Sequence, residues 1–245
     1  MDAKFTPDEL AKYRIPDDDS DASIEPITSV ASLTPELIER YVASKARPKS
    51  LNLVCGRSAC DEELHTFRPL AVDLSATSLV PCTKCGFELI GHDPSEIRLS
   101  RDADRLFALL QREWIRHFFF HLPLTDRIYQ YAFKHGRQEL LEFATGQLRS
   151  GRMIGYSPRW DSQQTAMLRG TIVHWARHAV ACCCRRCMAY WHAVPMSATL
   201  TEADIEYFQE LIMRYIDLRL PDLPALPQVK KALHRSTLSF KRAGE

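Results

Sequence analysis

The chain has 245 residues, 45% of them hydrophobic and 26% charged, and a formal net charge of +1. That length suits one large domain or two small ones, and the balanced charge excludes a polycation that coats nucleic acid along its whole length. The opening MDAKFTPDEL lacks the apolar centre of a secretory signal. No apolar run approaches the roughly 20 residues that cross a bilayer, so a soluble, cytoplasmic protein with no membrane contact is expected.

Residues 1–48 read as an acidic leader with two short helices, opened by Thr6-Pro7-Asp8-Glu9 and Thr34-Pro35-Glu36. Each signal pairs an N-cap hydroxyl with a first-turn Pro and acids. The polar stretch from Tyr13 to Pro26 links them. Residues 49–92 change character: SLNLVC, RPLAVDL and FELIG are short strand-like runs around cysteine turns. From residue 103 the period becomes helical. ADRLFALLQREWIRHFFFHL carries one apolar stripe through Leu106, Leu109, Leu110, Trp114, Phe118 and Leu122, and Pro123 stops it. Thr125 caps a second helix that ends on Gly136, and RQELLEFATGQLRSG is a third. Residues 151–170 read as a loop, and residues 171–190 as helical around HWARHAVA. Thr201 with Asp204 forms a capping box before a helix whose face is Ile205, Phe208, Leu211, Ile212, Tyr215 and Ile216. Residues 221–245 read as a Pro-rich stop and a basic flexible tail. The expected fold is mainly α: a helical zinc-binding domain over 103–220 behind a small zinc-ribbon-like β segment.

Eight cysteines in a reducing compartment point to metal before disulfides. Cys55, Cys60, Cys82 and Cys85 form two pairs. The Cys82-x2-Cys85-Gly86 turn aims two thiolates at one point, and the glycine permits a positive φ. Four thiolates suit a structural zinc, with His65 as the nearby substitute ligand. The second set lies in ACCCRRCMAYWH, residues 181–192. Cys184, Cys187 and His192 are expected ligands there, with His178 as the fourth and His174 as its alternative. Cys183 and Cys184 compete for one position. Arg185 and Arg186 between the thiols would favour thiolates or hold an anion, and Trp191 fits core packing better than base stacking.

The run DSQQTAMLRGTIVHWARHAVACCCRRCMAYWHAVP, followed by LTEADIEYFQELIMRYI, resembles the bacterial family catalogued as domain of unknown function 4186. Gln164, Thr165, Gly170, His178, Ala179, Ala181, Cys183, Cys184, Arg185, Cys187, Trp191, His192 and Pro195 carry the resemblance, which spans about residues 103–220. Ala166, Thr171, His174, Arg177, Val180 and Cys182 depart from the pattern. The resemblance implies His178 over His174 as ligand and brings no known activity with it.

Charge is unevenly spread. Residues 1–40 hold ten acids against four bases; residues 101–192 hold fourteen bases against seven acids, with six histidines besides. A basic face would suit nucleic acid, through Arg177, Arg185 and Arg186 and aromatics such as Trp114, Tyr129, Tyr131 and Trp160. The expected function is therefore a module with two structural zinc ions that binds nucleic acid or a protein. The alternative is a zinc hydrolase or a Cys-nucleophile enzyme at residues 178–192, with Cys183 or Asp161 as its reactive group.

Overall fold

The computed structural model describes residues 56–67, 81–89, 93–151, 153–155 and 170–227. The expected leader helices, the strand-like runs at 50–55 and 68–74, Cys55, Trp160, Asp161 and the basic tail lie outside them. Over the described residues the protein is helical, with seven α-helices and no strand. The Phe87–Leu89 part of the third strand-like run is irregular chain. Two isolated bridges, Ala59 with Leu64 and His65 with Glu113, are the β pairing there.

The helices are α1 (Pro94–Ser100), α2 (Ala103–Leu110), α3 (Trp114–His121), α4 (Asp126–Leu148), α5 (Ile172–Ala179), α6 (Arg185–His192) and α7 (Glu202–Arg219). Helix α1 escaped the apolar periodicity, yet Asp93-Pro94-Ser95-Glu96 signals it. The Asp93 carboxylate accepts the amides of Ser95 and Glu96, and Pro94 occupies the first turn. The continuous helix expected from 103 to 122 is two helices. The chain leaves the helix at Arg112 and Glu113 because its backbone pairs there with the cysteine segment. His65 donates its amide to the Arg112 carbonyl at 2.9 Å, and Trp114 donates to the His65 carbonyl at 3.0 Å. The stripe survives the break, since Leu106, Leu110, Trp114, Phe118 and Leu122 are all buried.

Helix α5 is the centre of the core, packed against α3, α4 and α7. Within it only His174 is not buried. The whole expected face of α7 is buried, and its Thr201–Asp204 capping box is formed. Gly136 breaks α4 with φ 68°, so the second helical half begins with amides that need acceptors. The Pro-rich segment supplies them: Arg137 and Gln138 donate to the carbonyls of Pro224 and Ala225 at 2.8 and 3.0 Å. A Cβ at Gly136 would lie 2.5 Å from the Leu226 carbonyl carbon, so glycine is required by space as well as by φ. Residues 221–227 therefore belong to the packed body.

Candidate metal centres

The first cluster is built on turns. Residues Cys60–Glu62 form a single 3-10 turn closed by Glu63 in the left-handed region. Across from it, Cys82 and Cys85 flank a knuckle. The Gly86 amide donates to the Cys82 carbonyl, the Cys82 amide donates to the Phe87 carbonyl, and Gly86 has the positive φ expected of it, 76°. The ligand atoms of Cys60, His65, Cys82 and Cys85 all lie within 4.8 Å of one another. The Cys85 sulfur is 3.4 Å from His65 Nδ1, and the Cys60 and Cys82 sulfurs are 3.8 Å apart. His65 is thus a member of the donor set, held by its backbone bridge to α3 and by stacking on Phe87 with 4.1 Å between ring centres.

Burial pushes the Cys60 thiol up to about 11. Burial acts the same way on Cys82, but backbone donors at Thr66, Lys84 and Cys85 outweigh it and hold that thiol below its usual value. Burial also lowers the His65 pKa, with Arg112 adding to it, so its ring favours the neutral form a metal needs.

The second cluster sits where α5 turns into α6. Ala181, with φ 55°, reverses the chain after α5. Cys184 is the N-cap of α6 and Cys187 lies one turn in. The sulfurs of Cys183, Cys184 and Cys187 lie within 4.8 Å of one another. Cys187 is 3.4 Å from Cys184 and 3.7 Å from Cys183. Cys183 and Cys184 therefore both reach the cluster, where spacing alone made them rivals. Cys182 is fully buried, and burial pushes its thiol up to about 12, which keeps it neutral and apart from the chemistry.

Four histidines and arginines take places the sequence did not foresee. His192 has both ring nitrogens engaged: Nε2 donates to the Val180 carbonyl at 2.9 Å, and Nδ1 accepts from the Tyr207 hydroxyl at 3.0 Å. A neutral imidazole has one lone pair, and here Tyr207 takes it, so His192 has none for a metal. His174 is a cap: its Nδ1 accepts the Thr171 amide at 3.1 Å at the start of α5. Gly170 must be glycine because a Cβ would collide with that side chain. Arg185 is buried and donates to the carbonyls of Pro195 and Ala198 at 2.7 and 2.6 Å. Arg177 is also buried, donating to Gln147 and to the Cys183 carbonyl. These two corrections share one cause: both guanidiniums are spent on internal acceptors. The suggested ligand His178 lies outside the group of converging donors, with its Nδ1 unengaged among the described residues. It is 3% exposed and stacks on Phe119.

The residue that spacing missed is Arg116, fully buried on α3. Its Nη2 donates to the Cys187 sulfur at 3.0 Å, and its Nη1 donates to the His178 carbonyl at 2.6 Å and approaches the Cys183 sulfur at 3.8 Å. Its Nε is paired with Glu113 at 3.1 Å, whose same oxygen accepts the Trp191 indole at 2.8 Å. The signal was the arginine set among the apolar residues of WIRHFFF, three positions after a glutamate. Since His65 brackets Glu113 by backbone bonds, one buried polar chain runs from the first cluster to the second.

The basic excess of residues 101–192 is largely answered across elements. Arg101 pairs with Glu210, Arg105 with Glu96, Arg112 with Glu63, Arg137 with Asp217 and Arg149 with Glu202. Trp114 is buried, Tyr131 is half-buried and Tyr129 is exposed. A groove of about 600 Å³ between α2 and α7 includes none of the cluster residues in its lining. No described helix is long and apolar enough to cross a membrane.

The model of the family described as Domain of unknown function (DUF4186) matches residues 104–217. No solved structure matches the chain.

Proposed function

We propose that this protein is a two-zinc module whose metals shape a protein-binding body. One observation carries it: three thiols with one imidazole at the first cluster, and three thiols at the second, each converge within 4.8 Å. Thiolates with imidazole suit zinc, at sulfur–metal distances of about 2.3 Å. At the first centre Cys60, His65, Cys82 and Cys85 make a closed set of four. At the second Cys183, Cys184 and Cys187 supply three, and the orphaned buried Nδ1 makes His178 the candidate fourth. Protein is favoured over nucleic acid as partner because Arg177 and Arg185 are committed inside and most exposed arginines named above face carboxylates. Elemental analysis of the purified chain tests this: two equivalents of zinc are expected, one lost in Cys85→Ser and the other in Cys187→Ser. Metal-free folded protein, or salt-sensitive binding to DNA or RNA, would count against it.

A second proposal, zinc hydrolysis or thiol nucleophilic catalysis, is favoured by the three-donor count at the second centre. A catalytic zinc keeps an open position, and three protein ligands are its usual complement. In that case Cys184, more exposed than Cys183, is the better candidate for meeting a substrate. Retained hydrolytic activity in Cys183→Ser with loss in Cys184→Ser would support the thiol nucleophile, whereas the zinc form expects both variants to lose metal and activity together.

A further inference from the structure

We propose that Cys184 and Cys187 are a redox-active dithiol that exchanges with small peptide disulfides. The proposal rests on the same sulfurs that the metal reading uses, since one pair cannot be a disulfide and two zinc ligands together.

The two thiols differ as a working pair must. Cys184 is the N-cap of α6 and half-buried, so an incoming disulfide can reach its sulfur. Cys187 is 5% exposed and its sulfur lies 3.4 Å away. Arg116 points its Nη2 at the Cys187 sulfur from beneath, at 3.0 Å. A charge-assisted donor there stabilises negative charge on that atom and fixes its position. Arg116 is a positioning residue in this scheme. Cys183 is further from Cys187, at 3.7 Å, and 9% exposed, so it is the poorer outer thiol. In the first cluster the exposed Cys85 instead lies against an imidazole, its sulfur 3.4 Å from His65 Nδ1.

The exchange balances without another reactant. The Cys184 thiolate attacks one sulfur of the peptide disulfide, forming a mixed disulfide and releasing one peptide thiolate. Cys187 as thiolate then attacks the Cys184 sulfur, closing the Cys184–Cys187 bond and releasing the second. Two protein thiols are oxidised, one disulfide is reduced to two thiols, and the protons lost by the protein pass to the released thiolates. Disulfide closure removes two donors from the second centre, so any metal there leaves with it.

The test uses the full chain with its metal content measured first. It is incubated with oxidised glutathione, quenched by alkylation and mapped by peptide mass spectrometry. The expected result is a Cys184–Cys187 disulfide, two reduced glutathione molecules per chain, release of the second centre's metal, and reversal by dithiothreitol. Cys187→Ser should stop at a glutathione adduct on Cys184, Cys183→Ser should still form the bond, and Cys184→Ser should slow glutathione release at least about tenfold. Disulfide formation in a chain that carries no metal keeps this proposal and ends the zinc one. Metal retained with Cys184 unmodified in the folded chain ends this proposal and keeps the zinc one. No adduct on Cys184 in folded Cys187→Ser also overturns it.

Discussion

The two thiol clusters have similar donors and opposite supports. The first is carried by a 3-10 turn and a knuckle, with Cys85 exposed and a handful of buried apolar side chains, such as Ala59, Leu64 and Phe67, beneath it. The second hangs from α6 in a body whose α3, α5 and α7 bury a continuous core, with Arg116 already donating to its sulfurs. On the two-zinc proposal, a metal would supply folding free energy where chain packing is thin, and would only join donors the fold has already placed where packing is dense. The clusters thus separate two roles for one chemistry.

Chelation draws that line with the largest effect. Removing zinc should abolish hydrogen-exchange protection at Ala59, Leu64, Cys82 and Gly86, whose amides bond within the first cluster. Zinc binding to small segments supplies on the order of 10 kcal/mol, enough to account for their whole local stability. Protection in α5 and α7 should persist. Equal loss in both regions would erase the contrast.

Next in size is Arg116→Met. It leaves Glu113 buried, 2% exposed, without its cation, and breaking one side of a buried pair costs about 3–5 kcal/mol. Urea unfolding should show that loss, and adding Glu113→Gln should restore part of it through the coupling of the pair. Because Glu113 also holds Trp191 and sits between residues bonded to His65, the single variant should weaken both centres. An effect confined to the second would show that the polar chain does not couple them.

Much of this was legible from the sequence, and the failures have physical reasons. The α7 face, the Thr201 cap, the Gly136 break and the knuckle glycine follow from local rules of period, cap and φ, and all four are present. The break between α2 and α3 was not legible because it is caused by His65, nearly fifty residues away in sequence. Spacing put Cys184, Cys187 and His192 together, and two of the three meet. His192 lies outside the converging group, its ring engaged by the Tyr207 hydroxyl from α7 and by the Val180 carbonyl. Arg116 was missed because a buried cation is recognised by what surrounds it, and three sulfur and carbonyl acceptors from other elements surround this one.

The donor count at the first cluster gives a sharper test. Cys60, His65, Cys82 and Cys85 already make four, so His65→Ala should weaken that zinc by at least about tenfold, while Cys55→Ser leaves it bound. Competition with a chromogenic chelator measures both. The reverse order would return Cys55 to the set.

The smallest expected effect compares two histidines that each engage Nδ1. His65 offers it beside a thiol, and its loss shows as metal loss. His174 offers it to the Thr171 amide, and burial, with Arg177 adding to it, lowers its pKa to about 4. The unfolded chain binds a proton near pH 6.5 and the folded chain does not until about pH 4. The stability it contributes is therefore complete above 6.5 and is lost as pH falls through that window. Because the ring is partly exposed, solvent screening trims the effect to about 1–2 kcal/mol. His174→Gln keeps an acceptor at the third helical position, where glutamine completes a capping box, and removes the titration. Unfolding midpoints from pH 7 to 4.5 should fall less steeply in the variant. The slope that remains belongs to His117, which burial also lowers to about 4, and to protonation of the metal donors. Chelated protein removes the latter, so an unchanged slope for His174→Gln in chelated protein would show that the α5 cap does not sense pH.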